Sequence, residues 1–140
     1  MSTNRGFSLA ELVVCMALSG LILSAALATL PAVLRQDRAC GEAKRLQLLI
    51  ERARTASLAS SLPVTVELRP GEALLRTPGG DEVERLLLRK GLALTTTGNV
   101  EGSLTLFPSH TATPATITLQ LNGASATVVV SLRGRTRVAC

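Results

Sequence analysis

Tryptophan and tyrosine are absent from these 140 residues, and Phe7 and Phe107 are the only aromatic side chains. That poverty argues against modules that grip nucleic acid by stacking bases on several ring faces. It also means that any core must be built from Leu, Val, Ile and Ala, in a chain that is 46% hydrophobic. Histidine occurs once, at His110, inside the Ser/Thr/Pro-rich stretch "PSHTATPAT", where it reads as a solvated loop residue. No serine has a partner arrangement that would make it a nucleophile. "PGGD" lacks the lysine and flanking helix of a phosphate loop, and the acids show no calcium-loop spacing. The three cysteines match no zinc or redox motif. The chain therefore reads as a non-enzyme, with no catalytic residue, no metal site and no cofactor expected.

Acidic residues are missing in one region. None follows Glu101, whereas Arg133, Arg135 and Arg137 all fall there, in a chain of net charge +5. Such a balance permits an anionic partner without naming one. Of the cysteines, Cys15 reads as a small buried hydrophobe within an apolar run. Cys40 and Cys140 lie outside that run. In an oxidising compartment they can pair, closing a long loop worth about 4–5 kcal/mol in the entropic model, or they remain two separate thiols.

What the sequence has in abundance is apolar length. From Phe7 to Leu34 the single charged residue is Glu11, and the run exceeds the roughly 20 residues a helix needs to cross a bilayer. An ordinary anchor would do this, as would a secretory signal peptide with Arg5 as its basic end and "SAALA" as a cleavage site. Neither accounts for Glu11, because a carboxylate within the membrane costs on the order of 3 kcal/mol. Intramembrane acids mark functions and need partners. A free amino group created by a nearby cut would serve.

"RGFSLAEL" resembles the processing site of type IV pilins and pseudopilins: a short basic leader, glycine, a cut, phenylalanine, and glutamate as the fifth residue of the mature chain. The resemblance implies that a prepilin peptidase cuts between Gly6 and Phe7 and methylates the new terminus. Glu11 then neutralises the amino terminus of a neighbouring subunit in the filament. It also implies a division into a leader (1–6), a transmembrane and filament-core helix (7–34), an amphipathic continuation (35–61) and a β-rich head (62–140). The chain would sit in the bacterial inner membrane with its head periplasmic, then in a pilus or periplasmic pseudopilus with other pilins. Major pilins often carry proline near mid-helix. Here the candidate is Pro31, near the end of the run, and a kink or break is expected there.

Past Pro31 the residues themselves continue the helix. Leu46, Leu49, Ile50 and Ala53 draw an apolar stripe, with Glu42, Lys44, Arg45, Glu51, Arg52 and Arg54 around it. A helix from Phe7 to about Ser60 would be about 80 Å long. Pro63 ends it and the period drops to two. In "VTVELR", Val64, Val66 and Leu68 share one side. "PGGD" is a turn between two strands. "SLTLF" and "TITLQL" repeat the alternation, and Asn122-Gly123 signals a hairpin. It leads into "SATVVVSL", whose Ala126, Val128, Val130 and Leu132 are expected to face inward. Six or seven strands after one long helix make an α+β head, with the sheet burying the helix stripe.

The strand pattern, "SLTLFPS" and the terminal "VVVSLRGRTR" resemble the GspH/FimT branch of minor pilins and pseudopilins. Gly134-Arg135-Thr136-Arg137 fits the G-R-x-R pattern of FimT-like minor pilins that bind DNA in natural transformation. In an extended segment Arg135 and Arg137 project to one side, joined by Arg133 if no bulge intervenes. Forked guanidinium groups suit phosphates, so the expected partner is double-stranded DNA gripped by its backbone. Three readings stand: a DNA-uptake minor pilin, a GspH-like pseudopilin of a type II secretion system, and a secreted β-domain with a cleaved signal peptide. A charged, solvated edge strand is the bland alternative for the arginines.

Overall fold

A computed structural model of the chain describes residues 8–98 and 102–140. The expected cut at Gly6 and Phe7 lies outside the described residues. Helix α1 spans Leu9–Ser60. Ser8 precedes it, and the Ser8 N–H donates to Glu11 Oε2 at 3.4 Å while Leu12 N–H donates to the Ser8 carbonyl at 3.2 Å. This is one half of a capping box, the glutamate at the third helical position reaching back to the cap. The expected break at Pro31 does not occur, because α1 runs through it. One missing backbone hydrogen bond is tolerated between full helical turns on either side.

The chain divides into two compact units, Met1–Leu34 and Arg35–Cys140. The described portion of the first is long and apolar enough to cross a membrane, and its Leu12, Val13, Leu21 and Ile22 are exposed. In the second unit the remaining turns of α1 bury Ala39, Ala43, Leu46, Leu49, Ile50 and Ala53. Each large apolar side chain taken fully out of water there contributes about 1.5–3 kcal/mol. Glu42, expected among the charged surface positions, is instead only 8% exposed, and both its oxygens accept from Arg45 Nη1 at 3.2 Å. The helix ends where the Ser57 hydroxyl, fully buried, lies 2.8 Å from the Leu62 carbonyl and 3.1 Å from that of Leu106. Ser61 then turns left-handed (φ 55°) ahead of Pro63.

Eight strands follow among the described residues: β1 (Val64–Arg69), β2 (Glu72–Arg76), β3 (Glu82–Leu87), β4 (Ala93–Gly98), β5 (Ser103–Leu106), β6 (Ala115–Leu121), β7 (Ala124–Val130) and β8 (Thr136–Ala139). They form two antiparallel sheets rather than one, in the orders β3-β2-β1-β5 and β4-β6-β7-β8. The helix stripe and both sheets share one apolar core, in which Val66, Leu104, Leu106, Ile117, Leu119 and Val128 are fully or almost fully buried. The β6–β7 hairpin turns at Asn122 and Gly123, both with positive φ, as its right-handed strand twist requires. Leu132, expected to face inward, is 63% exposed because β7 ends at Val130 and the chain turns there.

Outside this core, Leu74 on β2 is only 1% exposed. By register it lies beside Glu67 and Arg85 on the outer side of the first sheet. Ion pairs occupy that side: Glu67 with Arg69 (2.9 Å) and Arg76 (3.5 Å), and Arg85 with Glu82 (2.8 Å) and Glu72 (3.6 Å). The Arg85 guanidinium, hydrogen-bonded to Glu82, holds that carboxyl below the usual carboxylate range. The first sheet thus neutralises its own surface.

Candidate functional site

The arginine-rich segment is built by the β7–β8 connection. Four residues, Ser131 to Gly134, make a tight turn in which Gly134 N–H donates to the Ser131 carbonyl at 2.8 Å. Ser131 N–H then donates to the Arg135 carbonyl at 2.9 Å, and Arg135 N–H returns to Ser131 Oγ at 3.2 Å. Gly134 takes a positive φ of 67° and is buried; a Cβ there would stand 3.7 Å from Arg54 Cδ and 3.8 Å from Ala112 Cβ. The turn therefore lies over the helix, which glycine permits without strain.

β8 then alternates. Thr136 and Val138 are half-buried, whereas Arg135, Arg137 and Ala139 are exposed. The Thr136 hydroxyl donates to Glu51 Oε1 and accepts from Gln47 Nε2 at 3.2 Å. The variable position of the G-R-x-R pattern is thus its anchor to α1. Cys140 closes the strand onto the same helix through a disulfide with Cys40, the Cα atoms 5.4 Å apart. Cys15 is free and exposed.

Arg135 and Arg137 share the outward side of this segment. Arg133 does not extend their row, because it sits in the turn ahead of the strand, exposed but out of register. Among the described residues, no carboxylate lies within 4.0 Å of any of these three guanidinium groups. A fourth arginine, which the sequence pattern does not single out, lies beneath the turn: Arg54, with Nη1 3.9 Å from Glu51 Oε2. Its position one helical turn past Glu51 was the available signal. β8 is an edge strand, hydrogen-bonded to β7 alone.

Replacing Thr136 with valine keeps the shape and removes both side-chain hydrogen bonds, leaving the Glu51 carboxylate short of a donor. Because Glu51 is partly open to water, which can replace the lost donor, the expected cost is about 0.5–1.5 kcal/mol, and Thr136→Ser should restore most of it. Thermal unfolding of the two variants side by side checks this, and equal melting temperatures for valine and threonine would contradict it.

Elsewhere, His110 occupies an exposed turn with φ 60°. No group of three His, Cys, Asp or Glu side chains able to hold a metal ion occurs among the described residues. Glu11 is exposed near the start of α1.

Two family models match this arrangement. The prokaryotic N-terminal methylation motif matches residues 1–27, and the model described as type II transport protein GspH matches residues 42–134. The chain belongs to the GspH family.

Similar solved structures agree with that GspH-family fold. The minor pseudopilin EpsH from the type 2 secretion system of Vibrio cholerae superposes with a TM-score of 0.61 at 15% identity, covering 73% of this chain and 96% of that one. The type IV minor pilin FimU of Pseudomonas aeruginosa does so with a TM-score of 0.63 at 14% identity, covering 74% and 90%. A comparison with curated proteins finds no match. As a GspH-family protein the chain is a subunit of the minor pilin and pseudopilin kind, a long N-terminal helix with a β-rich head.

Proposed function

We propose that this protein is a minor pilin of a type IV pilus that holds double-stranded DNA by its phosphates. A prepilin peptidase cuts between Gly6 and Phe7 and methylates Phe7. Residues 7–34 anchor the subunit in the inner membrane until assembly, with residues 35–61 and the head 62–140 on the periplasmic side. Glu11 receives a neighbour's amino terminus in the filament, and Arg133, Gly134, Arg135 and Arg137 meet DNA near the pilus tip.

The observation that carries the DNA reading is the outward pairing of Arg135 and Arg137 at an edge strand, with no carboxylate of the described residues within 4.0 Å of their guanidinium groups. Guanidinium groups so placed can each fork onto a phosphate. Contacts of this kind are to the sugar-phosphate backbone and carry no sequence preference.

The test uses the full-length protein in uncharged detergent micelles and a short duplex, titrated across a salt series. With three phosphate contacts the slope of log affinity against log salt is about −2.7, and the Arg135→Ala/Arg137→Ala variant should lose about two-thirds of it. Affinity at low salt should fall by about ten- to a hundredfold. Equal binding by parent and variant, or none by the parent, would sink the DNA reading.

The second reading is a pseudopilin of a type II secretion system. It is favoured by the GspH description of the matched family and by the likeness to EpsH. In that setting the arginines shield an exposed edge strand from unwanted pairing.

A further inference from the structure

Among the described residues, the outer side of the second sheet carries hydroxyls and no acid. Following the register across it, Thr97 on β4 stands beside Thr116 on β6, then Val129 on β7, then Arg137 on β8. The next row is Thr95, Thr118, Thr127 and Ala139, and the third is Ala93, Gln120 and Ser125. Five threonines thus cover a surface whose charged side chains, among the described residues, are Arg137 and at its corner Arg135. Thr97, Thr116 and Val129 also line a shallow depression of about 450 Å³ with Gly98 and Pro114. The outer side of the first sheet differs in kind, since Glu67, Glu72 and Glu82 stand on or beside it. On the other flank of β8, α1 presents Glu51.

Resting on the DNA reading above, we infer that the bound duplex lies across this threonine side, one sugar-phosphate backbone held at Arg135 and Arg137 and the other reaching β4 at Thr97. A stiff polyanion anchored at β8 meets on the helix side a Glu51 already paired with Arg54 and Thr136, and over the second sheet no carboxylate among the described residues. Threonine hydroxyls donate to phosphate oxygens, and Val129 offers an apolar floor to sugar carbons. The side spans three inter-strand spacings, about 14 Å, comparable to the major-groove width of about 12 Å. One backbone can therefore rest on Arg137 while the other reaches β4.

The distance makes this testable. Thr97 is about 14 Å from Arg137, beyond the roughly 8 Å screening length at physiological salt. A charge placed there affects DNA held only by the arginines very little. DNA lying over the surface would feel it directly.

The experiment compares full-length Thr97→Asp, Thr97→Lys and Arg135→Ala/Arg137→Ala in uncharged detergent, with the same short duplex. At physiological salt Thr97→Asp should bind about fivefold or more weakly. Thr97→Lys should bind more tightly, with a salt slope steeper by about 0.9. A gain of affinity cannot come from misfolding, so the lysine variant stands even if the aspartate variant folds poorly. If the arginine variant loses binding while both Thr97 variants match the parent, the threonine surface is overturned and the arginine reading survives. The threonine side would also be overturned if the Thr97 variants blocked filament incorporation while leaving DNA affinity unchanged, since the surface then faces a neighbouring subunit. Parental binding by the arginine variant, or no binding by the parent, overturns both.

Discussion

Removing the disulfide by Cys40→Ser together with Cys140→Ser should cost the Arg35–Cys140 unit about 4–5 kcal/mol. The two residues are 100 apart in sequence, and a loop of that length carries close to the largest loop-closure term that a bridge within a small domain can remove from the unfolded chain. Domains of this kind are stable by only about 5–15 kcal/mol, so the loss leaves a head near the edge of folding at physiological temperature. The first element to leave should be β8, four residues paired to β7 on one side only. Because the chain has no Trp or Tyr, intrinsic fluorescence reports little, and unfolding is followed by circular dichroism in denaturant. Parent protein with reductant should shift to the same midpoint as the double variant. Coincident midpoints for parent and variant without reductant would show that the bridge does not constrain the unfolded chain.

Glu11 is the second position where one substitution should have a large effect, and here glutamine is more informative than alanine. In the structure Glu11 completes half of a capping box with Ser8, a role that glutamine also fills. In the proposed filament its role is charge. If capping were the purpose, Glu11→Gln would assemble like the parent and Glu11→Ala would be weakened by about 1 kcal/mol. If pairing with a neighbour's amino group is the purpose, both variants leave a buried cation unpartnered, a penalty of about 3–5 kcal/mol. Incorporation into sheared filaments should then fall by at least about a hundredfold for both. Measured incorporation against total membrane-bound protein decides, and normal assembly of the glutamine variant would refute the charge role.

The elements most legible in the sequence are those where polar and apolar residues keep a strict period. "VTVELR" announces β1 because Glu67 and Arg69 alternate with Val66 and Leu68, and Leu46, Leu49, Ile50 and Ala53 mark the buried side of the helix. β4 is hidden because "ALTTTG" has threonine on both sides, Thr96 as well as Thr95 and Thr97, so polarity does not alternate. The short β8 is hard to separate from its loop for a similar reason. Glu42 resembles a surface acid because its i,i+3 spacing to Arg45 is local but its burial is not. In the arginine segment, the opposition of Arg135 and Arg137 to Thr136 follows from strand period alone. The displacement of Arg133 depends on a left-handed glycine, and the presence of Arg54 on packing between residues far apart in the chain. The proximity of Cys40 and Cys140 is equally long-range, and nothing local encodes it.

The bridge has a mechanical consequence. A force applied at Arg135 or Arg137 has a covalent route to the helix that is shorter than the route through the sheets: three to five residues along β8 to Cys140, then across the sulfurs to Cys40. Pulling from the apolar end of α1 against a load on these arginines therefore does not unzip β8 from β7 and run on into the sheet. The ladder of the second sheet and the core beneath it lie off the line of tension, inside a closed covalent loop. Reduction would reroute the same force through the β7–β8 hydrogen bonds, which would then break in sequence from the loaded end.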